Sequence, residues 1–565
     1  MSRSAGTTFA EQRAAEPAPR RRNVRALVLL FALCTIPVAI EEAILVATGF
    51  RSARPLAPQV TAPQALGIFH DLRWMLVYHD SWPMFLGEFV LALLLRSALI
   101  AAIAQVCWPA EAQRPSFRES LRRSAGFTAI CMICLSPWAI VAMAASETSL
   151  SWFTFGELLP VIFLTVMVAS GGIRRRWWCG LPPLTVVGWT LLSLLVSSLG
   201  GAAISSVSGW WTVAVAACFG AFNALLWRAI VRSIVIRRSL WPRAWVVPSA
   251  FVVTLAALLV LSVFSSLGAG PAGANRWVPA LVAAQRQIPD HTILFVAGYN
   301  SSYGGNRDVT SVPVHFSYRG LGADGSPLAY HAKDTHQSLF ASAALLAEQV
   351  QAVANRDHHP VTIVAQSEGT LVTRAYLGAF AHREVDTVVF TSPLVRPGRA
   401  YFPPPSESSG WGYVAGWELR GMLHVMRLIG PYDEHADEPF VRSIVEHAPF
   451  FRDSMLCAVP GVRMIAFVPT AAAAVVPPNL DSQIPLVELP GVHGTLLQRP
   501  GFDRLLVAFI RGELTDGDRS ALFSLLQRVA AGWQAPALAL SVNPVWHAAG
   551  IPDAAFDLHV CGPAS

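Results

Sequence analysis

The fold of the C-terminal half is decided by the stretch Val361-Thr-Ile-Val-Ala-Gln-Ser-Glu-Gly-Thr-Leu371. Its first residues form an apolar, β-branched run that is typical of a buried strand, and the residues after it favour a helix. The small residues Ala365 and Gly369 flank Ser367, so the chain can turn sharply there and expose the serine hydroxyl at the edge of a sheet. The stretch therefore predicts a strand, a tight turn at Ser367 and a helix.

Strand and helix patterns continue on both sides of this turn. Short β-branched runs alternate with longer amphipathic stretches, which is typical of a mostly parallel sheet covered by helices. The predicted strands are His291 to Ala297, Val312 to Tyr318, Val361 to Ala365, Thr387 to Thr391, Val462 to Val468 and Pro485 to Leu489. Helices are predicted near Asp334 to Asn355, Glu368 to Phe380 and Arg499 to Arg511. Residues 393–460 are too many for a simple connection, and their position predicts a cap or lid over a site.

The turn at Ser367 resembles the nucleophile elbow of the α/β-hydrolase superfamily, with Ala365 where that family usually has its first glycine. The resemblance covers roughly residues 285–515. It implies an α/β-hydrolase fold with a cap insertion and a serine esterase or lipase-like activity, in which an acyl ester is cleaved through an acyl-Ser367 intermediate. No metal or cofactor is required by this chemistry, because serine, histidine and an oxyanion hole supply nucleophile, base and charge stabilisation.

The resemblance also implies roles for two other segments. His493, in Glu-Leu-Pro-Gly-Val-His-Gly494, follows the last predicted strand, where the family carries the histidine that takes the proton from the serine. Gly298-Tyr-Asn-Ser-Ser302 follows the first predicted strand and resembles the family's oxyanion loop. Backbone N–H groups at Tyr299 and Glu368 would then stabilise the oxyanion.

The triad acid is where the sequence departs from the family pattern. After the penultimate predicted strand, where the family commonly has an aspartate, the chain has Ala471 to Ala474. Asp481, in the loop that leads to the last strand, is the nearest substitute and is the predicted acid. Asp433 and Glu488 are the alternatives.

The N-terminal half is a predicted membrane region. The chain is 53% hydrophobic and only 14% charged, and about seven stretches approach the roughly 20 apolar residues that a membrane span needs. They are residues 25–47, 84–107, 125–146, 150–171, 182–202, 209–230 and 245–268, with six spans as the alternative count. We expect a disordered cytoplasmic tail at 1–24, a transmembrane helical domain at 25–268, a linker at 269–284 and a C-terminal helix and tail at 516–565.

The arginines indicate the orientation of these spans. With a cytoplasmic N-terminus, the arginine-rich runs all fall on the cytoplasmic side, and the outer loops hold only Arg51, Arg54 and Arg73. This predicts a multi-pass protein of the cell membrane with the hydrolase-like domain outside the cytoplasm and membrane lipids around the helices. The formal charge of +6 is explained by topology and does not indicate nucleic-acid binding.

Two further expectations concern charged and sulfur-containing side chains. Arg96 would lie near mid-membrane and is expected either to face a polar cavity or to pair with one of four glutamates of the region, Glu41, Glu42, Glu88 and Glu157. Cys457 and Cys561 are the only cysteines of the exported domain. They form either a disulfide, as an oxidising compartment would allow, or two buried free thiols.

Three functions remain open from the sequence. A membrane-anchored serine hydrolase is the main prediction, and a lipid is the most economical acyl ester because the domain is tethered at the outer membrane surface. An acyltransferase of envelope lipids would use the same residues while excluding water from the acyl-enzyme. A non-catalytic sensor or transport accessory would keep the fold without the chemistry. The oligomeric state is not predicted.

Overall fold

The computed structural model describes residues 19–147, 151–241, 243–254, 279–305, 313–410, 412–429, 435–452, 454–478, 480, 482–539, 543–547 and 561. Its N-terminal half is a helix bundle: α1 (Pro19–Thr48), α2 (Ala65–Tyr78), α3 (Trp82–Cys107), α4 (Phe117–Glu147), α5 (Ser151–Met167), α6 (Leu184–Ser205), α7 (Trp211–Ile236) and α8, whose described part covers residues 246–254.

Five helices of this bundle are long and apolar enough to cross a membrane. The segments are Val24–Thr48, Trp82–Cys107, Phe117–Ile140, Leu184–Ser205 and Trp211–Ile236. They correspond to five of the seven predicted spans. At the fourth predicted span, α5 carries the shorter apolar segment Leu158–Met167. The seventh, 245–268, continues from α8 beyond the described residues.

The α1–α3 connection, residues 49–81, folds into the bundle as a 3-10 segment (Arg51–Gln59) followed by α2. Most of its residues are buried, so its backbone groups need partners within the protein. Asn223 and Trp227 of α7 supply two of them, donating to the carbonyls of Pro58 (2.8 Å) and Thr61 (2.9 Å). This arrangement holds a non-helical stretch of chain among apolar helices.

Arg96 pairs with Asp71 of this connection, so the prediction that it pairs with a glutamate is wrong. Its Nε donates to Asp71 Oδ2 at 2.7 Å, and its NH1 donates to the Val60 carbonyl at 2.6 Å. His70 lies 3.0 Å from both Asp71 and Glu41 and extends the network. The sequence reasoning missed Asp71 because it treated the connection as an outer loop, whereas its folding into the bundle brings Asp71 to α3.

The C-terminal half contains a six-stranded, all-parallel sheet in the order β2-β1-β3-β4-β5-β6. The strands are β1 (Thr292–Val296), β2 (Val314–His315), β3 (Val361–Gln366), β4 (Val385–Thr391), β5 (Arg463–Pro469) and β6 (Leu486–Leu489). All six fall on predicted strands. The strand order changes direction between β1 and β3, and crevices at such switch points are where parallel sheets bind ligands.

Helices cover both faces of the sheet. The helices of the C-terminal half are α9 (Pro279–Gln287), α10 (Leu339–Asp357), α11 (Glu368–Ala379), α12 (Tyr413–Ile429), α13 (Pro439–Glu446), α14 (Ala448–Arg452), α15 (Phe502–Ile510) and α16 (Ala521–Ala539). One apolar core lies between the sheet and α10 and α11, and the other lies between the sheet and α9 and α15. The coarse prediction of a helix-covered parallel sheet after a helical membrane region is confirmed.

The insertion, residues 393–460, joins the two halves. It contains α12, α13 and α14, and α12 packs on α2 and α4 of the bundle. Tyr401, Tyr413 and Leu419 belong to the same buried apolar cluster as the bundle helices. The Gly410 N–H also donates to the Asp80 carbonyl at 3.0 Å, in the turn before α3. The insertion is therefore anchored on the membrane half.

The C-terminal helix α16 also packs inside the bundle, against α4, α6 and the 3-10 segment Arg51–Gln59. Pro536 lacks an N–H, so the carbonyl of Gly532 has no helical donor four residues on. Arg73 NH1 donates to this carbonyl at 2.9 Å and Gln59 Nε2 at 2.8 Å. A Cβ on Gly201 would lie 3.2 Å from the Gly532 Cα, so glycines permit the close approach of α6 and α16.

Cys457 and Cys561 form a disulfide, which decides between the two states left open by the sequence. Their Cα atoms lie 5.4 Å apart, at a separation of 104 residues in the chain. The bond ties the end of the chain to the segment just before β5.

Candidate active site

Ser367 occupies a strained turn between β3 and α11. Its φ of 53° and ψ of −119° place a non-glycine residue in a region that L-amino acids rarely adopt. The neighbouring strand holds this turn, because the Ser367 N–H donates to the Thr391 carbonyl of β4 at 3.2 Å. A Cβ on Gly369 would collide with the Val296 carbonyl of β1, so glycine is needed for α11 to start this close to the sheet. The hydroxyl is thereby presented at the carboxyl edge of the sheet.

His493 lies within hydrogen-bond distance of that hydroxyl. Its Nε2 is 2.9 Å from Ser367 Oγ, although the two residues are 126 positions apart in the chain. The loop that carries His493 follows β6, as the sequence predicts. Burial lowers the pKa of His493 to about 4, so the imidazole is neutral near pH 7 and has a lone pair to accept a proton.

The loop after β1 passes directly beside the serine. A Cβ on Gly298 would lie only 2.8 Å from Ser367 Cβ, so a larger residue would push the loop away. Tyr299 follows in this loop, and Glu368 begins α11, where the first N–H groups of a helix have no acceptor within the helix. The structure thus brings the loop that carries Tyr299 against Ser367, which Glu368 directly follows in the chain.

The side chain of Tyr299 connects this loop to the insertion. Its hydroxyl donates to Glu438 Oε2 at 2.8 Å, and its ring stacks between His336 and Phe440 with centroid separations of 4.6 and 4.7 Å. Glu438 is buried at the start of α13 and also lies 3.2 Å from His336 Nδ1. The insertion therefore packs directly on the loop after β1.

The carboxyl group of Glu368 is buried beneath this loop. The residue is 1% exposed, and neither carboxyl oxygen has a hydrogen-bond partner among the described residues. Burial raises the pKa of Glu368 well above its ordinary value, so the group is held in its neutral form. A neutral side chain at this position adds no negative charge beside a developing oxyanion.

Of the three candidate acids, only Glu488 lies among the described residues. Ala471 to Ala474 form a buried 3-10 turn after β5, so the position that the family's aspartate commonly occupies offers no carboxylate. Glu488 binds elsewhere: its Oε2 accepts the Ser520 N–H at 2.7 Å, and its Oε1 accepts the Thr470 hydroxyl. Burial raises the pKa of Glu488, but these hydrogen bonds outweigh it and lower the pKa overall. Asp481 and Asp433 lie outside the described residues.

Two residues at the site were not singled out from the sequence. Gln366 Nε2 donates to the carbonyl of Gly494 at 2.7 Å, and the Gly494 N–H donates to Ser392 Oγ at 3.2 Å. Both side chains therefore hold the residue next to His493. A signal was present, since Gln366 precedes the nucleophile and Ser392 directly follows a predicted strand whose end lies at the same sheet edge.

Comparisons with protein-family models, with curated proteins and with solved structures find no match to this chain.

Proposed function

We propose that this chain is a membrane-anchored serine hydrolase of the α/β-hydrolase type, which cleaves an acyl ester through an acyl-Ser367 intermediate. The observation that carries the proposal is the 2.9 Å contact between His493 Nε2 and the hydroxyl of Ser367 at a strained strand-to-helix turn. Strain at such a turn has to be maintained by the surrounding fold and is typical of functional sites.

The chemistry follows from the positions of the groups. His493 takes the proton of Ser367 as its oxygen attacks the ester carbonyl, and the N–H groups of Tyr299 and Glu368 bind the resulting oxyanion. The imidazolium then protonates the leaving alkoxide, which departs as an alcohol. Water, activated by the same imidazole, hydrolyses the acyl-serine. Asp481 remains the proposed acid that would orient the imidazole.

The orientation of the sheet supports a lipid as the substrate. All six strands are parallel, so their carboxyl ends share one edge, where Ser367 and His493 lie. The 3-10 turn Thr470–Ala474, at the carboxyl end of β5, packs on α5 and α16, and the insertion after β4 packs on α2 and α4. The catalytic edge thus faces the membrane half. An acyl ester held in the bilayer would reach Ser367 by a short path, from the extracytoplasmic side in the proposed orientation.

One labelling experiment tests both the activity and the orientation. A charged, membrane-impermeant fluorophosphonate probe would be applied to intact and to permeabilised cells that produce the full-length protein. We expect labelling of Ser367 in intact cells, loss of labelling in Ser367→Ala, strong reduction in His493→Ala and no change in Ser326→Ala, which alters a loop serine of the same domain.

The other outcomes have distinct meanings. If wild-type protein in permeabilised cells reacts no better than Ser367→Ala, the serine is not activated and a non-catalytic role is favoured. Labelling that requires permeabilisation would keep the hydrolase and reverse the proposed orientation.

A further inference from the structure

His493 is carried by a loop, and the contacts of the next residue fix where that loop lies. Gly494 has a φ of +82°, a conformation that favours glycine. Both polar groups of its backbone are bound by side chains from neighbouring strands: its carbonyl accepts from Gln366 Nε2 at 2.7 Å, and its N–H donates to Ser392 Oγ at 3.2 Å.

These two side chains come from the ends of two paired strands. Gln366 is the last residue of β3 and pairs in register with Thr391, the last residue of β4. Ser392 follows at once, is 1% exposed and has a φ of 50°. Its N–H donates to the Phe467 carbonyl of β5 at 2.9 Å. The loop is therefore attached to three adjacent strands at the sheet edge.

The contacts close a ring around the catalytic pair. Gln366 and Ser367 are consecutive, and so are His493 and Gly494. Two hydrogen bonds join the pairs, from Gln366 to Gly494 and between Ser367 and His493. The loop is held at both His493 and Gly494. A rotation of the loop that moves the imidazole away from the Ser367 hydroxyl would therefore also break the hydrogen bond from Gln366 Nε2 to the Gly494 carbonyl.

We propose that Gln366 and Ser392 are positioning residues that hold His493 on Ser367, a role that rests on the hydrolase function proposed above. In a serine triad the acid both orients the histidine and stabilises its charged form. Gln366 and Ser392 are neutral and bind the backbone, so they supply orientation alone. Stabilisation of the imidazolium is left to a carboxylate such as Asp481 or to the solvent.

The variants Gln366→Leu and Ser392→Gly remove the two contacts separately. Leucine keeps much of the volume of glutamine, and glycine suits the positive φ at position 392. Gln337→Leu is the matched control, because Gln337 Nε2 also donates to a backbone carbonyl of this domain, that of Tyr318 at 2.9 Å. All proteins would be full length and purified in detergent.

Two measurements separate positioning from general stability. In hydrolysis of a p-nitrophenyl ester, kcat should fall by about 10²-fold in both variants with little change in KM, as expected for a catalytic group displaced by about 1 Å. Diethylpyrocarbonate, which modifies neutral imidazoles, should react faster with His493 in both variants, as read by peptide mass spectrometry. Gln337→Leu should alter neither kcat nor the reactivity of His493.

The proposal is overturned if kcat and the reactivity of His493 stay at wild-type levels in both variants. It is also overturned if Gln337→Leu reproduces their effects at equal thermal stability. The diethylpyrocarbonate measurement does not depend on turnover. A wild-type protein without esterase activity, in which the variants still release His493, would contradict the hydrolase function and leave the positioning role intact.

Discussion

A buried cluster around Asp71 in the helix bundle and the residues at the sheet edge differ in how their ionisable side chains are paired. In the helix bundle Asp71 is bound by Arg96 and lies against His70, so charge faces charge. At the sheet edge, Glu368 has no hydrogen-bond partner among the described residues, and His493 contacts the neutral hydroxyl of Ser367. Paired ions resist a change of protonation, whereas a neutral imidazole beside a hydroxyl can accept its proton. The network around Asp71 therefore fits a structural role, and the sheet edge fits the chemistry proposed above.

The largest effect should come from breaking an ion pair in the bundle. Asp71→Asn would leave the Arg96 guanidinium buried without a counter-charge, which typically costs about 3–5 kcal/mol. Glu119→Gln is the control, since Glu119 pairs with Arg123 one helical turn away on the partly exposed side of α4, and such pairs contribute about 0–1 kcal/mol. Unfolding of the full-length variants in detergent measures both. If both variants lost a similarly small amount of unfolding free energy, the buried network would not stabilise the bundle.

A smaller effect is expected where α16 enters the bundle. Arg73→Met removes donors from the Gly532 and Trp533 carbonyls, which should cost about 1–3 kcal/mol. Pro536→Ala restores an N–H that can bind the Gly532 carbonyl within the helix. In that background Arg73→Met should therefore cost less, by about 0.5–3 kcal/mol. Strictly additive losses in unfolding free energy would refute the idea that Arg73 replaces the missing helical donor.

The sheet half could be predicted from the sequence because its signals are local. Each strand is a short apolar, β-branched run, and the elbow is encoded within the few residues around Ser367. The position of His493 follows from chain order, since all six strands are parallel and the loop after the last one lies at the same sheet edge as Ser367. The sequence also located the insertion, although its docking on α2 and α4 required the structure.

The bundle's interior could not be predicted in the same way, because it depends on pairs that are distant in the chain. Gly532 and Pro536 weaken a helix by their intrinsic propensity, and only the structure shows that Arg73 and Gln59 bind the Gly532 carbonyl. The sequence pattern predicts Asp71 in an outer loop, whereas in the structure the α1–α3 connection folds into the bundle. At the active site, the contact of Gln366 with Gly494 spans 128 positions for the same reason. Asp481 as the acid stays a prediction.

The smallest effect, when expressed per pH unit, concerns Glu368, and its sign follows from the direction of the pKa shift. Burial raises the pKa of this carboxyl well above its ordinary 4.5, so the folded protein binds the proton more tightly than the unfolded chain does. The stabilisation from this proton is complete below about pH 4.5 and is lost as the pH rises, at no more than about 1.4 kcal/mol per pH unit. Glu368→Gln keeps a neutral side chain at every pH, so its stability relative to wild type should increase between about pH 5 and about pH 8.

Glu488→Gln provides a control of opposite sign. Although burial raises the pKa of Glu488, hydrogen bonds from Ser520 and Thr470 lower it overall, so its contribution to stability is present above its ordinary pKa and lost as the pH falls. Glu488→Gln should therefore lose stability relative to wild type near neutral pH, and the difference should shrink in acid. Chemical unfolding of the wild type, Glu368→Gln and Glu488→Gln across this pH range measures how the stability of each variant relative to wild type changes with pH. If Glu368→Gln paralleled the wild type throughout, Glu368 would be ionised in the folded protein, and the contrast between the paired Asp71 cluster and the neutral sheet edge would fail at the residue after Ser367.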